Sequence, residues 1–264
     1  MSLSRTKASM ILKSRVFAMV LAAAVAAPQI AHSAEIKVLT AGAFKAVVLE
    51  LAPDFEKQTG HKVTVDNGTT GQVKDRIEKG EVIDIAIITP TVVDGLLKDS
   101  KLTGSRIDLA TVGVGVAVKE GASKPDISSV DAFKQAVLAA KTVAYIDPAS
   151  GGTSGVYLDK LFERWGIADR IRPKAKLQRG GYVAELVAKG EAELAIHQIS
   201  EILPVKGVVL VGALPAEIQL TTTYSGALSA NAPQRVAAET FLKVLSSPQA
   251  AAVLAAKGMQ QPKP

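Results

Sequence analysis

The feature that most constrains the fold of this chain is a regular alternation of short apolar runs with segments of helical periodicity. Residues 36–39 and the almost wholly apolar residues 83–88 have the composition of β-strands. Between these two runs, residues 45–58 place Val48 and Phe55 on one helical face. Apolar strands that have helices on both faces are typical of parallel sheets. The sequence therefore predicts an α/β fold with a largely parallel sheet.

The alternation occurs in two blocks, which are joined by extended, glycine-containing segments at residues 110–118 and 221–230. This arrangement predicts two lobes, each a mostly parallel sheet flanked by helices. The first lobe is expected to span residues 35–117, completed by 222–264, and the second lobe to span residues 118–221. The predicted strands are 36–39, 61–65, 83–88, 142–146, 175–177 and 192–197, and the predicted helices are 45–58, 72–79, 155–165, 182–189 and 233–256.

The first 34 residues have the order of a cleaved secretory signal peptide. Residues 1–15 are basic and polar, residues 16–27 carry no polar side chain, and small residues follow up to Ala34. A helix of that apolar length covers only about 18 Å, whereas the hydrocarbon core of a membrane is about 30 Å thick. We therefore expect export to the periplasm as a soluble protein rather than a membrane anchor.

The charge balance and the absence of cysteine exclude several classes of function. The leader holds four of the 31 Lys and Arg residues and no acid, which leaves 27 basic against 25 acidic residues, a net charge of +2. Nucleic-acid-binding domains are usually more basic, so we expect no nucleic-acid partner. Because the chain has no Cys, it has no disulfide, zinc–thiolate site or thiol nucleophile, and we expect neither a metal nor a cofactor.

Four loops of similar composition follow predicted strands and lead into predicted helices. Small side chains and hydroxyls fill these loops, which are residues 40–43, 66–71, 147–155 and 178–181. Backbone N–H groups at the start of a helix have no partner within the helix, and the helix dipole adds a partial positive charge there. Because ligands of open α/β sheets bind at the carboxyl ends of the strands, the four loops predict a site for a small anion.

The sequence offers little support for catalysis. Only His61 and His197 remain after removal of the leader, and neither has the spacing of a metal site such as H-E-x-x-H. Ser154 is followed directly by Gly155, which breaks the G-x-S-x-G pattern of serine nucleophiles. We expect both histidines to be strand-end residues and the chain not to be an enzyme. A periplasmic enzyme and a ligand-sensing regulatory domain stay open as alternatives of other classes.

The order of several segments resembles one protein family. These segments are Thr40-Ala41-Gly42-Ala43, Asn67-Gly68-Thr69-Thr70, Asp84-Ile85-Ala86-Ile87, Asp147-Pro148 with its Ser/Gly loop, and Ser246-Ser247-Pro248-Gln249-Ala250-Ala251. Over residues 36–260 the chain resembles the periplasmic solute-binding components of ATP-driven (ABC) importers, in the branch that includes molybdate-binding proteins. The resemblance implies a type II periplasmic binding protein. Such a protein is a monomer whose two lobes close over a small anion and deliver it to a membrane permease.

The resemblance also implies which residues bind the ligand, because the molybdate-binding members hold a tetrahedral oxyanion with neutral donors from both lobes. Two of the matching positions depart from that pattern, since Ala43 replaces a serine and Gln198 replaces a tyrosine. Molybdate or a related oxyanion is the expected ligand. A di- or tricarboxylate is the alternative, and Arg179 is able to offer a carboxylate a bidentate pair. The expected ligand-binding residues are Gly42, Ala43, Thr69, Thr70, Thr153, Ser154, Gly180 and Gln198.

Overall fold

The computed structural model describes residues 33–262, so the signal peptide lies almost wholly outside the described residues and stays a prediction. None of the helices within this range is long and apolar enough to cross a membrane. The strands are β1 (Glu35–Ala41), β2 (Lys62–Gly68), β3 (Ile85–Ile88), β4 (Leu102–Lys119), β5 (Val143–Ile146), β6 (Ala175–Gln178), β7 (Leu194–Gln198), β8 (Val208–Ala213), β9 (Thr221–Ser229) and β10 (Met259–Gln260). The helices are α1 (Gly42–Thr59), α2 (Thr70–Glu78), α3 (Pro90–Lys98), α4 (Val130–Ala139), α5 (Thr153–Arg164), α6 (Ala168–Ile171), α7 (Ala184–Ala188), α8 (Ile199–Ile202), α9 (Arg235–Leu245) and α10 (Ala250–Ala256).

A mixed sheet runs through the molecule in the order β2-β1-β3-β9-β4-β7-β5-β6, and β8 and β10 also pair with β4. Both ends of the sheet are parallel, because β1 pairs with β2 and β3, and β5 pairs with β6 and β7. The middle strands β9 and β4 are antiparallel to their neighbours. The predicted fold class, an α/β protein of two lobes with parallel strands and flanking helices, is confirmed.

Strand β4 connects the two parts of the sheet. Its residues 102–113 pair with β9, whereas residues 114–119 pair with β7 and β8. We call the part built on β1, β2, β3 and β9 the first lobe, and the part built on β5, β6, β7 and β8 the second lobe. The chain enters the second lobe along β4 and returns between β8 and β9. The lobe boundaries expected from the sequence stay a prediction.

Each lobe has its own apolar core. In the first lobe, α1 and α9 meet through Phe55 and Phe241, whose ring centroids lie 4.8 Å apart. In the second lobe, α4 and α5 bury Phe133 and Phe162, and Phe162 meets Tyr145 of β5 edge to face. The helix that follows β9 therefore packs in the first lobe, although it lies near the carboxyl end of the chain.

The carboxyl-terminal helical segment differs from its prediction. Residues 233–256 form two helices, α9 and α10, instead of one. The break contains Pro248, whose ring has no N–H to donate to the preceding turn and clashes with the carbonyl four residues earlier. The alanine-rich composition favoured one long helix, and the proline overrides it.

A lysine from a different segment closes the end of α4. Nζ of Lys174 lies 2.9, 2.7 and 2.6 Å from the carbonyl oxygens of Val137, Leu138 and Ala140. The last carbonyls of a helix have no partner within the helix, so this ammonium group satisfies three of them at once. Burial lowers the pKa of Lys174. The contact ties the residue before β6 to the end of α4 within the second lobe.

Candidate functional site

A cleft between the two lobes brings the four loops rich in small and hydroxyl-bearing residues together. Its free space, counted together with the open solvent at its mouth, is about 350 Å³. All eight residues that the sequence predicts as ligand-binding line this interlobe cleft, although their role in binding stays a prediction. The lining residues are Ala41, Gly42, Ala43, Gly68, Thr69, Thr70, Ile146, Gly152, Thr153, Ser154, Gly180, Gly181, His197, Gln198, Glu201 and Tyr224.

Three helices begin at the cleft. Helix α1 begins at Gly42 and α5 begins at Thr153, and no side chain caps the N-terminus of either helix. Helix α2 begins at Thr70 and is capped by Thr69 and Gln72, whose side chains each accept a hydrogen bond from the other's backbone N–H. The first-turn N–H groups of α1 and α5 are therefore the donors that an anion can use, and both helix dipoles favour its negative charge.

A polar network around Gln198 forms part of the second-lobe wall. Nε2 of Gln198 lies 3.0 Å from Oγ1 of Thr153 and 3.0 Å from Oγ1 of Thr222. Oε1 of Gln198 is buried and has no hydrogen-bond partner among the described residues. Gln198 therefore brings an unpartnered acceptor to the cleft, where the resembling family has a phenol.

Direct hydrogen bonds, which we call the interlobe latch, join the two lobes beside the cleft. The latch consists of three hydrogen bonds. In two of them a side chain donates to a main-chain carbonyl, and in the third a main-chain N–H donates to a main-chain carbonyl. A Cβ at Gly71 would lie 2.9 Å from the carbonyl oxygen of Ser150, so the close approach of the lobes requires glycine there. The contacts are the Thr69 hydroxyl to the Ser150 carbonyl, the Gly71 N–H to the Gly151 carbonyl at 3.3 Å, and Nε2 of Gln72 to the Arg179 carbonyl at 2.7 Å.

Arg179 contributes its backbone to the latch rather than its side chain to the cleft. The residue is exposed and is not among the residues that line the cleft. The side chain of Arg179 therefore does not offer a carboxylate in the cleft the bidentate pair that the sequence allowed. Within residues 33–262, no Lys or Arg lines the cleft. Attraction for an anion has to come from backbone N–H groups, hydroxyls and helix dipoles.

Glu201 is the only Asp or Glu within residues 33–262 that lines the cleft. It belongs to α8, directly after β7, and is 7% exposed. A Cβ at Gly42 would lie less than 3.0 Å from Oε1 of Glu201, so this carboxyl group packs against the first residue of α1. Its Oε2 lies 3.4 Å from Nδ1 of His197, an atom without a hydrogen-bond partner among the described residues. The site thus contains a buried carboxyl–imidazole pair at the start of a helix.

Burial sets the protonation of the titratable groups that line the cleft. It raises the pKa of Glu201 to about 8 and lowers the pKa of His197 to about 3, because a poorly solvated site disfavours the charged form of each. Burial also raises the pKa of Tyr224, and hydrogen bonds from Thr153 and Gln198 oppose that increase. Near neutral pH the imidazole and the phenol are uncharged, and Glu201 is the group whose protonation changes.

The sequence did not predict Glu201 or Tyr224 as site residues, and it predicted His197 only as a residue at the end of a strand. That position is right, since His197 is the penultimate residue of β7, but its side chain also lines the cleft. A signal for Glu201 exists, because it is an acid three residues after Gln198, which was already an expected ligand position. Tyr224 lies in β9, in a segment that the sequence presents only as an extended connector.

Similarity to known proteins extends over most of the chain. The aconitate isomerase of a Pseudomonas species is 36% identical over 230 residues, which cover 84% of this chain and 86% of that protein. The molybdate-binding protein of Azotobacter vinelandii is 26% identical over 239 residues, which cover 86% of this chain and 90% of that protein. The solved structure of the periplasmic molybdate-binding protein of Azotobacter vinelandii matches with a TM-score of 0.72 at 21% identity, covering 86% of this chain and 100% of that one.

The first of these relatives corrects one prediction. The expectation that this chain is not an enzyme is wrong, because a relative 36% identical over most of its length bears the name of an enzyme. The expectation relied on the lack of a nucleophile motif and of metal spacing. Reactions that only move a proton need neither of these, and a buried Glu or His is a sufficient general base.

The family assignment follows from the length of chain that is matched. A family model described as bacterial extracellular solute-binding protein matches residues 36–260. That range contains the two lobes and every residue that lines the interlobe cleft. This chain therefore belongs to the bacterial extracellular solute-binding protein family.

Proposed function

We propose that this protein captures a small organic polycarboxylate between its two lobes. In this proposal the leader directs the chain to the periplasm, and the loaded protein delivers its ligand to the permease of an ABC importer. The observation that carries the choice of ligand is the buried carboxyl group of Glu201, which belongs to α8 and packs against the first residue of α1. It adds a proton-carrying group to a cleft whose other donors are neutral.

The chemistry of the cleft favours an organic acid over a tetrahedral oxyanion. Molybdate presents only acceptor oxygens, so its ideal site contains donors alone, whereas an organic acid also presents a carbon skeleton and, when one carboxyl group is protonated, an O–H donor. This cleft also holds the unpartnered Oε1 of Gln198 and the carboxyl group of Glu201, and it lacks the first-loop hydroxyl because position 43 is alanine.

The lining of the cleft agrees with the same ligand class. Ile146 and the small residues Ala41 and Ala43 offer apolar contact to a carbon skeleton. The uncapped starts of α1 and α5 offer N–H groups to two separate carboxylates. The relative named for aconitate, a tricarboxylate, points to the same class.

Thermal and chemical unfolding in the presence of candidate ligands tests this proposal. The panel contains cis-aconitate, trans-aconitate, tricarballylate, citrate and succinate, together with molybdate, tungstate and sulfate. A ligand at a hundred times its dissociation constant stabilises the folded protein by about 2.7 kcal/mol. We expect that effect from at least one polycarboxylate and none from the oxyanions. Stabilisation by molybdate alone contradicts the proposal.

A pair of serine variants places the ligand in the cleft. Ser154 is 2% exposed and lines the cleft, whereas Ser128 is exposed on the surface of the second lobe. We expect Ser154→Ala to weaken binding of the stabilising polycarboxylate about tenfold, in line with loss of a hydrogen bond to a charged group. Ser128→Ala is the matched control and leaves the dissociation constant unchanged. Equal affinities for both variants would place the ligand elsewhere.

A second candidate function is isomerisation of an acid of this class. The similarity to the aconitate isomerase of Pseudomonas favours it. The two candidates differ in turnover, because a receptor returns its ligand unchanged. Incubation of catalytic amounts of the protein with cis-aconitate or trans-aconitate, followed by separation of the isomers, distinguishes them.

A further inference from the structure

We propose that Glu201 transfers a proton between two carbon atoms of the bound acid, so that the interlobe cleft shifts a carbon–carbon double bond. This inference rests on the proposed capture of an organic polycarboxylate, and it names the reacting group of the site. Glu201 acts as the general base that removes a proton from carbon and as the general acid that returns it. Among the described residues, Glu201 alone exchanges a proton with the carbon atoms in this proposal.

The position of Glu201 suits this role. Its side chain is nine-tenths buried and lines the same space as the uncapped starts of α1 and α5. None of the hydrogen bonds among residues 33–262 ends on its carboxyl oxygens, although the nearest groups are His197 at 3.4 Å and Gly42. A carboxyl group that serves only to stabilise the fold accepts hydrogen bonds when it is buried. An unbonded, buried carboxyl group facing a ligand cleft is instead free to meet the ligand.

The other titratable groups around Glu201 are poorly suited to the same task. The groups that face it are His197 from β7, Tyr224 from β9 and Tyr182 from the loop before α7. Burial lowers the pKa of His197 and raises the pKa of both tyrosines, so all three are uncharged at neutral pH. Burial raises the pKa of Glu201 to about 8, which makes its carboxylate a stronger base than an exposed one.

The reaction balances without any co-reactant. The substrate is an unsaturated acid with a CH₂ group next to its double bond, as in aconitate. A C–H bond of that CH₂ group breaks, its proton joins the Glu201 carboxylate, and the electron pair spreads over the three allylic carbons and the adjoining carboxylate. The carboxylic acid of Glu201 then returns the proton to the far carbon of the allylic unit. The double bond has moved, Glu201 is a carboxylate again, and nothing has been oxidised or reduced.

The same donors that attract the ligand stabilise the intermediate. Removal of the proton adds negative charge to the carboxylate that is conjugated with the allylic carbons. Backbone N–H groups at the starts of α1 and α5 are fixed by the fold and need no reorganisation when that charge appears. The helix dipoles favour the added charge in the same way. Solute capture and proton transfer therefore use one set of groups.

Proton NMR in D₂O tests the assignment, with cis-aconitate and trans-aconitate as substrates and saturated tricarballylate as the binding probe. We expect the wild-type protein to exchange the CH₂ hydrogens for deuterium and to produce the other isomer. The variants are Glu201→Gln, Glu201→Asp and, as a matched control, Glu185→Gln on the exposed surface of α7. Glu201→Gln should lose at least about a hundredfold in rate while binding tricarballylate within tenfold of wild type. Glu185→Gln should react like wild type.

Glu201→Asp separates a reacting group from a structural one. It keeps the carboxyl group but withdraws it by about one bond length, and a misplacement of that size costs up to about a hundredfold in rate. We expect a slow but measurable reaction whose rate rises towards pH 8, and this variant also decides the question if Glu201→Gln fails to fold. A Glu201→Asp or Glu201→Gln protein as fast as wild type overturns the assignment.

The outcomes distinguish this inference from the proposed function. Binding of the acids by the wild-type protein without exchange or isomerisation overturns the inference and leaves solute capture standing. If none of the three acids binds, the inference fails, and the proposed function fails with it when citrate and succinate also leave the protein unstabilised. Wild-type turnover with a Glu201-specific loss supports the inference and the capture of the acid, and it favours isomerisation over delivery of the acid to a permease.

Discussion

Replacing Gly42 with alanine tests the placement of Glu201 against the start of α1. A Cβ at Gly42 would lie less than 3.0 Å from Oε1 of Glu201, whereas its next neighbours, Cδ of Glu201 and Nδ2 of Asn67, lie at 3.4 and 3.6 Å. The clash therefore comes from a single side chain. Overpacking destabilises a protein by about 1–3 kcal/mol, and we expect Gly42→Ala to lower the free energy of unfolding by an amount near the lower end of that range, because the clashing atom is the end of a side chain that borders the cleft.

The same substitution in a Glu201→Ala background isolates the contact. With the carboxyl group removed, the nearest atom to the added methyl group is Nδ2 of Asn67 at 3.6 Å, and alanine in a helix is more favourable than glycine by up to about 1 kcal/mol. We expect Gly42→Ala to become neutral or stabilising there, which corresponds to a coupling energy of about 1–3 kcal/mol between the two positions. Urea unfolding of the four proteins at one pH gives the coupling energy directly.

Gly155, which lies against the backbone of another segment, is the control for this double-mutant cycle. A Cβ at Gly155 would lie less than 3.0 Å from the carbonyl oxygen of Ile146, which Glu201→Ala does not move. Gly155→Ala should therefore be equally destabilising in both backgrounds. If Gly42→Ala behaves like Gly155→Ala, with the same loss whether or not Glu201 is present, the carboxyl group does not lie where the structure places it.

Three further substitutions follow from the structure. Glu201 keeps its proton up to about pH 8 in the folded protein but loses it near pH 4.5 in the unfolded chain. The stability of the wild-type protein therefore falls by roughly 1 kcal/mol per pH unit as the pH rises between these values. The lowered pKa of His197 has the opposite effect on stability, but only below pH 6.5. Glu201→Gln should therefore abolish the fall between pH 6.5 and 8 in urea titrations, and an unchanged slope contradicts the assignment. Lys174→Met should destabilise the protein by about 1–3 kcal/mol, because it leaves the carbonyls at the end of α4 unpaired, while Lys176→Met on exposed β6 changes stability by less than about 0.5 kcal/mol. Gly95→Ala, at an exposed position of α3 with no atom within 4 Å of the new Cβ, should raise the melting temperature by an amount equivalent to about 0.5–1 kcal/mol.

The sequence was sufficient to predict the four loops at the cleft, because the position of each loop depends only on the local order of strand, loop and helix. Each loop follows a strand, and the carboxyl ends of the strands in each lobe meet at the cleft. Gly42, Thr69 and Ser154, which lie in three of these loops, therefore line one space, whereas Gln198 was expected only from the resemblance to the molybdate-binding branch. The strand–helix alternation predicted the fold class for the same local reason. Pro248 shows the limit of periodicity, since one residue divided a segment that otherwise reads as a single helix.

Glu201 was not predicted as a site residue, because its nearness to Gln198 in the sequence is a weak signal and its environment is made by tertiary contacts. An acid after a strand is usually solvated, and nothing in its neighbours along the chain shows that it packs against Gly42 of the other lobe. The same is true of His197, whose place at the end of β7 was predictable but whose contact with Glu201 depends on how α8 turns after the strand. Tyr224 reaches the cleft because β9 pairs beside β4, which the sequence does not encode locally.

The interlobe latch has a consequence for how such a protein diversifies. Its acceptors are main-chain carbonyls, so the fit between the lobes is encoded in the path of the backbone and in a few small residues such as Gly71. Most of the side chains that line the cleft are different residues. Substitutions among them can therefore change the chemistry of the cleft while the contacts that join the two lobes stay the same.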